Sequence, residues 1–340
     1  MPKSLVTVVI PTLSADARLA ECLASLKLQI RQDFEVLVVD NSGAGRAART
    51  LHAAGFDGFA KVLDNRRNVG FGAAINQAMA ASASPYLATL NDDAAAHPEW
   101  LNEMLRALER RPDAGMCAPQ IRLFGEDRID SAGMLVARDG SSKQRGQGRP
   151  PDAFPVAEEI LFPSGCAALY RRTMLQQLGG FDEAFFLYCE DTDLGLRARW
   201  AGWKCVYAPR AVVEHHYSYS AGAASALKAY YVERNRLFVA VKNFPGWMLA
   251  AVPLAAAARY FWHIRFLLGG RGSAARFRTS GQAGPKLLWC VLRAHLAVVR
   301  RGGRLWRQRR EIRARARITP AVFRHLLRVH SIGLRRIAAL

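Results

Sequence analysis

The chain has 340 residues, 51% of them hydrophobic, and a formal net charge of +20. That hydrophobic share excludes a disordered chain, and the length allows one large α/β domain or two smaller ones around a sizeable core. The charge is uneven: residues 259–340 hold 20 Arg and Lys against one acid, Glu311, while the rest holds 28 bases and 27 acids. A nearly neutral globular part is followed by a basic appendage. The six cysteines are scattered without a Cys-x-x-Cys pair, as expected of reduced cytosolic thiols.

A β-branched run at 5–10, stopped by Pro11, predicts a first strand, and 15–29 a helix. A second buried strand at 34–39 ends in the polar turn Asp40-Asn41-Ser42-Gly43. Then follow a helix at 44–54, a short strand at 60–63 and an Ala-rich helix at 70–81. Next come a strand at 86–90, a helix at 98–110 with Pro98 in its first turn, and a strand at 115–123. This alternation means a mostly parallel sheet with helices on both faces. Residues 139–152, rich in Gly, Ser, Arg and Pro, read as a mobile loop. Strand chemistry resumes at 160–169 around Pro163-Ser164-Gly165, and Gly179-Gly180 is a break. A helix is expected at 191–201, two strands at 204–207 and 211–213 either side of Pro209, and a long helix at 221–242.

The apolar run 247–258, interrupted by Pro253 and closed by Arg259, is shorter than the ~20 residues of a spanning helix. It reads as re-entrant or surface-lying, with a buried core helix as the plain alternative. The appendage interleaves its bases with Trp262, Phe266, Phe277, Trp289 and Trp306. That mixture suits helices lying in an anionic lipid interface, and no nucleic-acid partner is expected. The N-terminus shows no signal-peptide order. The division expected is a domain at 1–243 and a basic amphipathic helical region at 244–340.

Two acidic clusters carry the chemistry. Asn91-Asp92-Asp93 follows the strand at 86–90, at the end of an α/β sheet where ligands bind. Adjacent carboxylates there repel unless a cation or donor compensates them, so they are candidates to hold a divalent cation against a diphosphate. The plain alternative is a pair of solvated turn residues capping the next helix. Glu190, Asp191 and Asp193 open a helix whose dipole favours their ionised form, and can supply a general base beside Phe185, Phe186, Leu187 and Tyr188. First-turn capping acids are the plain alternative. Asp40 can accept from a pyrimidine N3–H or a ribose hydroxyl, or simply cap its turn. Asn68-Val69-Gly70-Phe71-Gly72 precedes a helix and lets backbone approach a phosphate or sugar, without being a dinucleotide fingerprint. His215, in the pair His215-His216, can complete a metal's coordination.

Together these stretches resemble the family-2 inverting glycosyltransferases, in their rhamnosyltransferase-like branch. The resemblance runs through Val8-Val9-Ile10-Pro11-Thr12, Val38-Val39-Asp40-Asn41-Ser42, 68–76, Leu90-Asn91-Asp92-Asp93 and 164–172. It continues through Gly180-Phe181-Asp182-Glu183, Glu190-Asp191-Thr192-Asp193-Leu194, Arg197, His215, Ser220 and Glu233-Arg234-Asn235-Arg236-Leu237. It spans roughly 5–245 and leaves the basic tail uncovered. It implies a GT-A-like, Rossmann-related fold with a basic helical C-terminal appendage. By the same resemblance, Asp40 and the Pro11-Thr12 backbone bind the nucleoside, and Asn68, Gly70, Asn91 and Asp92 belong to the donor site. Asp93 would hold Mg2+ or Mn2+ on the diphosphate, in a shell that His215 and Asp92 could share, and Asp191 would be the general base. The expected donor is a dTDP- or UDP-sugar, rhamnose in particular. The expected acceptor is a glycan or polyprenyl-linked glycan, at the cytoplasmic face of the cell membrane. A non-catalytic nucleotide-sugar or glycan-binding module is the competing class.

Overall fold

A computed structural model describes residues 4–216, 226–270 and 285–339. The chain forms two compact units. The first comprises 1–134, 144–198 and 203–220; the second comprises 135–143, 199–202 and 221–340.

The first unit is built on one sheet. Strand β1 (Val6–Thr12) lies between β2 (Phe34–Asp40) and β4 (Tyr86–Leu90), parallel to both, and β3 (Ala60–Asp64) extends the sheet beyond β2. On the other side β11 (Ala167–Arg171) runs antiparallel between β4 and β6 (Ala114–Leu123). Strand β12 (Lys204–His215) is parallel to β6, and the short β10 (Glu158–Ile160) pairs antiparallel with β12 at the edge. Chain direction thus diverges after β1, with β2 to one side and β4 to the other, which opens a crevice at the carboxyl ends of these strands. Thr12, Asp40 and Asn91 all sit there.

The strands form because their residues alternate across two covered faces. Val6, Val8 and Ile10 of β1 are fully buried and belong to a core shared with Leu19, Leu23 and Leu26 of α1 (Ala17–Lys27). Helix α1 starts where Asp16 accepts from the Arg18 N–H at 3.0 Å. The remaining helices of the unit are α2 (Arg46–Ala53), α3 (Phe71–Ala80), α4 (Trp100–Glu109), α5 (Arg172–Leu178) and α6 (Glu190–Trp200). On α4, Trp100, Leu101, Met104, Leu105 and Leu108 are buried, the one-sided spacing of an amphipathic helix.

Three local expectations need correction. Residues 94–96 form a strand, β5 (Ala94–Ala96), that pairs antiparallel with β12; three alanines carry no strand signal. Residues 204–215 are one strand rather than two, because the ladder to β6 continues past Pro209 through an irregularity between Ala208 and Val212. Residues 139–152 are not a mobile loop. They contain β9 (Ser142–Gln144), which follows β8 (Met134–Val136), and lead into a 3-10 turn at Pro151–Ala153, with Asp139 and Ser141 buried.

The second unit is helical: α7 (Ala226–Asn243), α8 (Gly246–Leu268), α9 (Pro285–Arg300), α10 (Gly302–Ala314), α11 (Pro320–Val329) and α12 (Leu334–Ala339). Helices α9 and α10 pack on α7, and α12 packs on α8. By compactness α7 groups with these C-terminal helices, whereas the sequence expectation divided the chain after 243. Buried charges tie the unit together. Glu233 pairs with Arg236 and with Arg259, 2.6 Å away, and Arg259 Nε lies 2.6 Å from Asp139. Arg309 and Arg313, one turn apart on α10, donate to the Val241 and Asn243 carbonyls at the C-terminus of α7, where cations are favoured. Among the described residues no helix is long and apolar enough to cross a membrane. Ser220, Phe277 and the start of the helix expected from 221 lie outside the described residues.

Candidate active site

Asp93 ends the turn between β4 and β5, and the β5–β12 ladder sets His215 opposite Ala94. Pairing therefore delivers His215 to Asp93: Nε2 lies 3.3 Å from Oδ1, and the His216 N–H donates to the Asp93 carbonyl. Both side chains are buried, which excludes the reading of Asp93 as a solvated helix cap; α4 has no side-chain cap at all.

On its other edge His215 Nδ1 meets Asp130 Oδ2 at 2.8 Å. Asp130 lies on β7 (Ile129–Ser131), which pairs with β6, the neighbour of β12. Burial opposes a charge on His215, yet the Cys166 sulfur and the Asp130 and Asp93 carboxylates raise its pKa well above the ordinary imidazole value. Burial would likewise raise Asp93, but His215 reverses this and holds its carboxyl below the usual range. Asp130 was not a sequence candidate. A lone Asp in an Arg-Ile-Asp-Ser stretch gives no signal, and it acts across 85 residues of chain.

These groups fit a divalent cation bound together with substrate. Such ions take oxygen ligands and commonly use one or two side chains plus phosphate oxygens. Asp93 Oδ1 is buried without an aligned hydrogen-bond donor. With Nδ1–H given to Asp130, a His215 that loses its Nε2 proton to an incoming cation would turn an Nε2 lone pair to the same place. Among the described residues no three or more His, Cys, Asp or Glu side chains are grouped as a metal cage by themselves. Asp92 turns away: its Oδ2 accepts from Thr12 Oγ1 at 2.6 Å, and burial raises its pKa to about 6. His216 is also elsewhere, stacked on Phe124 and 3.0 Å from Glu21.

Asp191 opens α6 and is partly exposed. Its Oδ2 accepts from the Gly165 N–H at 3.0 Å, and its Oδ1 from the Thr192 N–H at 2.6 Å and hydroxyl at 3.2 Å. The residue next to Gly165, Cys166, accepts from the Asn91 N–H at 2.8 Å. One short segment before β11 thus holds both acidic clusters. The base candidate hangs from Gly165, and the strand-end motif hangs from Cys166. Burial raises the Asp191 pKa against those three donors. Glu190 is 6% exposed, its Oε2 has no hydrogen-bond partner among the described residues, and burial followed by the Asp191 charge raises its pKa. Of the two, Asp191 is the one whose charged form meets hydrogen-bond donors.

The approach to α6 is strained. Phe186, Tyr188 and Cys189 have φ of 65°, 68° and 64°, left-handed conformations that non-glycine residues rarely adopt. Phe185 is buried in the core, while Phe186, Leu187 and Tyr188 remain partly exposed, so of the four apolar residues expected beside the base these three are accessible. Asp193 does a different job. It is fully buried and accepts from Arg197 Nε at 2.7 Å, while that guanidinium also donates to the Leu178 and Gly180 carbonyls.

Asp40 stands at the crevice with its carboxylate engaged by backbone: Ser42 N–H and Ala47 N–H each donate at 2.7 Å. Burial would raise its pKa, but these donors lower it overall. The turn-capping reading is thus realised. Pro11 and Thr12 lie beside it, in register with Val39 and Asp40. Asn68 accepts from the Gly70 N–H at 2.9 Å. Gly70, at φ 90°, faces protein: a Cβ there would meet the Phe186 carbonyl oxygen at 2.4 Å. The Phe71 N–H donates to that same oxygen, so the glycine lets α3 dock on the strained loop before Asp191.

The family described as "Glycosyl transferase family 2" matches residues 7–179. The N-acetylglucosaminyl-diphospho-decaprenol L-rhamnosyltransferase of Mycobacterium tuberculosis is 32% identical over 299 residues, covering 80% of this chain and 94% of that protein. The O-antigen chain rhamnosyltransferase WbaN of Salmonella anatum is 25% identical, covering 63% of this chain and 67% of that one. Among solved structures, GalNAc-T7 with UDP, GalNAc and Mn2+ has a TM-score of 0.61 at 14% identity, over 75% of this chain and 51% of that one. Mannosyltransferase PcManGT from Pyrobaculum calidifontis, in complex with GDP-Man and Mn2+, has 0.55 at 16%, over 92% and 86%. At such identities the structures speak for the fold alone, which is GT-A-like.

Proposed function

The chain belongs to glycosyl transferase family 2, and on that premise we propose that it moves rhamnose from dTDP-rhamnose to a hydroxyl of a polyprenyl-diphosphate-linked glycan. Its being a glycosyltransferase follows from the family; the donor, the acceptor and the metal are the further step. The sugar and the acceptor rest on the relatives, which are named for rhamnosyl transfer and, in the mycobacterial case, for a decaprenol-linked substrate.

The observation that carries the mechanism is the shared segment Gly165-Cys166, which holds Asp191 and the strand-end motif at one place. Asp191, whose charged form meets three donors and which is still partly exposed, takes the proton from the acceptor hydroxyl. The oxygen attacks the anomeric carbon from the side opposite the diphosphate, so the sugar inverts in one displacement. Asp93 and His215 would hold Mg2+ or Mn2+, with Asp130 orienting the imidazole. That cation, when bound, supplies charge stabilisation to the departing diphosphate. Pro11, Thr12 and Asp40 form the floor for the nucleoside. Because both Asp40 oxygens are already engaged, its part is to shape the turn whose backbone meets the base. Asn68, Gly70, Asn91 and Asp92 line the donor side by position, Gly70 through its packing on Phe186. The first unit is assigned the transfer. The basic helices are assigned to keeping the enzyme at the anionic inner face of the cell membrane, where such an acceptor resides.

The test is incubation of the protein with Mn2+, a panel of nucleotide sugars and a short polyprenyl-diphospho-N-acetylglucosamine. Transfer from dTDP-rhamnose with inverted stereochemistry is expected. Asp191→Asn should lower kcat about 10²–10⁴-fold with nucleotide-sugar affinity nearly unchanged. Normal turnover by that variant removes Asp191 from the role, and transfer only from another donor replaces rhamnose.

A further inference from the structure

Helix α8 presents to solvent a face that lacks the charges of a water-facing helix. Trp247, Leu254, Phe261 and Leu268 recur every seven residues and are 56%, 77%, 61% and 80% exposed, with Ile264 beside them at 58%. The other exposed positions are Gly246, Ala250, Ala251, Pro253, Ala257, Ala258 and a single charge, Arg265. The opposite face is committed to the protein: Val252, Ala256 and Arg259 are buried, and Arg259 is paired with Glu233 and Asp139. A helix held on one side and apolar on the other does not span a bilayer. It lies along a surface, here over about 34 Å of its axis.

Charge decides what covers it. Residues 259–340 supply nearly all the excess positive charge of the chain, with one acid against 20 bases. A second copy of the chain would set that charge against itself, whereas anionic headgroups neutralise it. Helix α9 repeats the pattern, with Leu288, Leu292, Leu296 and Val299 exposed among Lys286, Arg293 and Arg300. We propose that the Trp247–Leu254–Phe261–Leu268 face of α8 inserts into the interface of an anionic lipid bilayer, with the surrounding arginines on the headgroups. The proposal deepens the membrane assignment made above by naming the inserting face.

The test uses the full chain and vesicles without acceptor or nucleotide, so its failure leaves the sugar-transfer reading untouched. Co-sedimentation is expected with phosphatidylcholine vesicles containing about one-third phosphatidylglycerol and not with phosphatidylcholine alone. Bromolipids in the same vesicles should quench Trp247, read as signal lost in Trp247→Tyr. The double variant Leu254→Glu/Phe261→Glu should lose roughly tenfold or more of the partitioning, with circular dichroism and melting unchanged because both side chains are exposed. Undiminished binding by that variant overturns the proposal. So does absence of quenching, or a dimer that the variant dissociates while vesicle binding persists.

Discussion

Nδ1 of His215 lies 2.8 Å from Oδ2 of Asp130, and this contact fixes which nitrogen of the ring faces Asp93. A histidine that gives its Nδ1–H to a carboxylate presents a more basic Nε2 in a set direction, and loss of such a partner typically weakens metal affinity 10–100-fold. Asp130→Asn should therefore weaken Mn2+ binding about tenfold or more, measured by electron paramagnetic resonance of free Mn2+ in the presence of a nucleoside diphosphate. His215→Ala should match or exceed that loss. If Asp130→Asn leaves Mn2+ affinity unchanged, Asp130 is only a packing partner of the imidazole.

Gly70 offers a test of how the base is positioned. Alanine there would put a methyl 2.4 Å from the Phe186 carbonyl oxygen at a φ of 90°. Neither the backbone nor that oxygen can yield cheaply, so Gly70→Ala should cost about 2–4 kcal/mol of stability in urea denaturation. Because Phe186 begins the strained run leading to Asp191, kcat should fall in the part of the protein that remains folded. Gly58→Ala, where nothing stands within 4 Å of the new methyl, is the control for backbone conformation alone.

The strands around β1 were legible because unbroken β-branched runs report burial on both faces, and Pro11, Asp40 and Asn91 mark where they stop. Asp93, His215 and Asp191 stand out in sequence only as candidates, acids and a histidine at element ends. Their mutual arrangement was not. It depends on the Ala94–Ala96 strand, which has no sequence signal, and on Asp130, which reaches His215 through two intervening ladders. The left-handed residues before Asp191 were hidden for a related reason, since Phe, Tyr and Cys do not advertise positive φ as glycine does. Asp40 and Asp92 show the converse. In sequence each is open to a ligand or to a local partner, and in the fold each is engaged by neighbours.

Glu190 predicts a pH signature in stability. Burial and the Asp191 charge raise its pKa in the folded state above the ordinary carboxyl value of 4.5. Between the unfolded and folded values the native chain keeps a proton that the unfolded chain has lost. Stability is then highest below the unfolded value and declines as pH rises through the folded one. Glu190→Gln removes this decline, so the variant should gain on the parent from about pH 5 upward, by ~1–3 kcal/mol at pH 8. Thermal melts across that range check it; parallel curves would show that Glu190 ionises alike in both states.

Asp191 and Asp193, two residues apart, should respond oppositely to removal. Asp193 is fully buried against Arg197, whose guanidinium also ties α6 to the Leu178 and Gly180 carbonyls. Asp193→Ala strands that cation in the interior and should cost about 3–5 kcal/mol. Activity per folded molecule should largely survive. Asp191 carries a raised pKa because burial penalises its charge; Asp191→Asn relieves that penalty but turns its NH2 toward one of the N–H donors the carboxylate accepted, so it should cost clearly less stability than Asp193→Ala. Denaturant midpoints and single-turnover rates measured on both variants separate the two roles. A stability loss at Asp191 matching that at Asp193 would make Asp191 a structural acid like its neighbour.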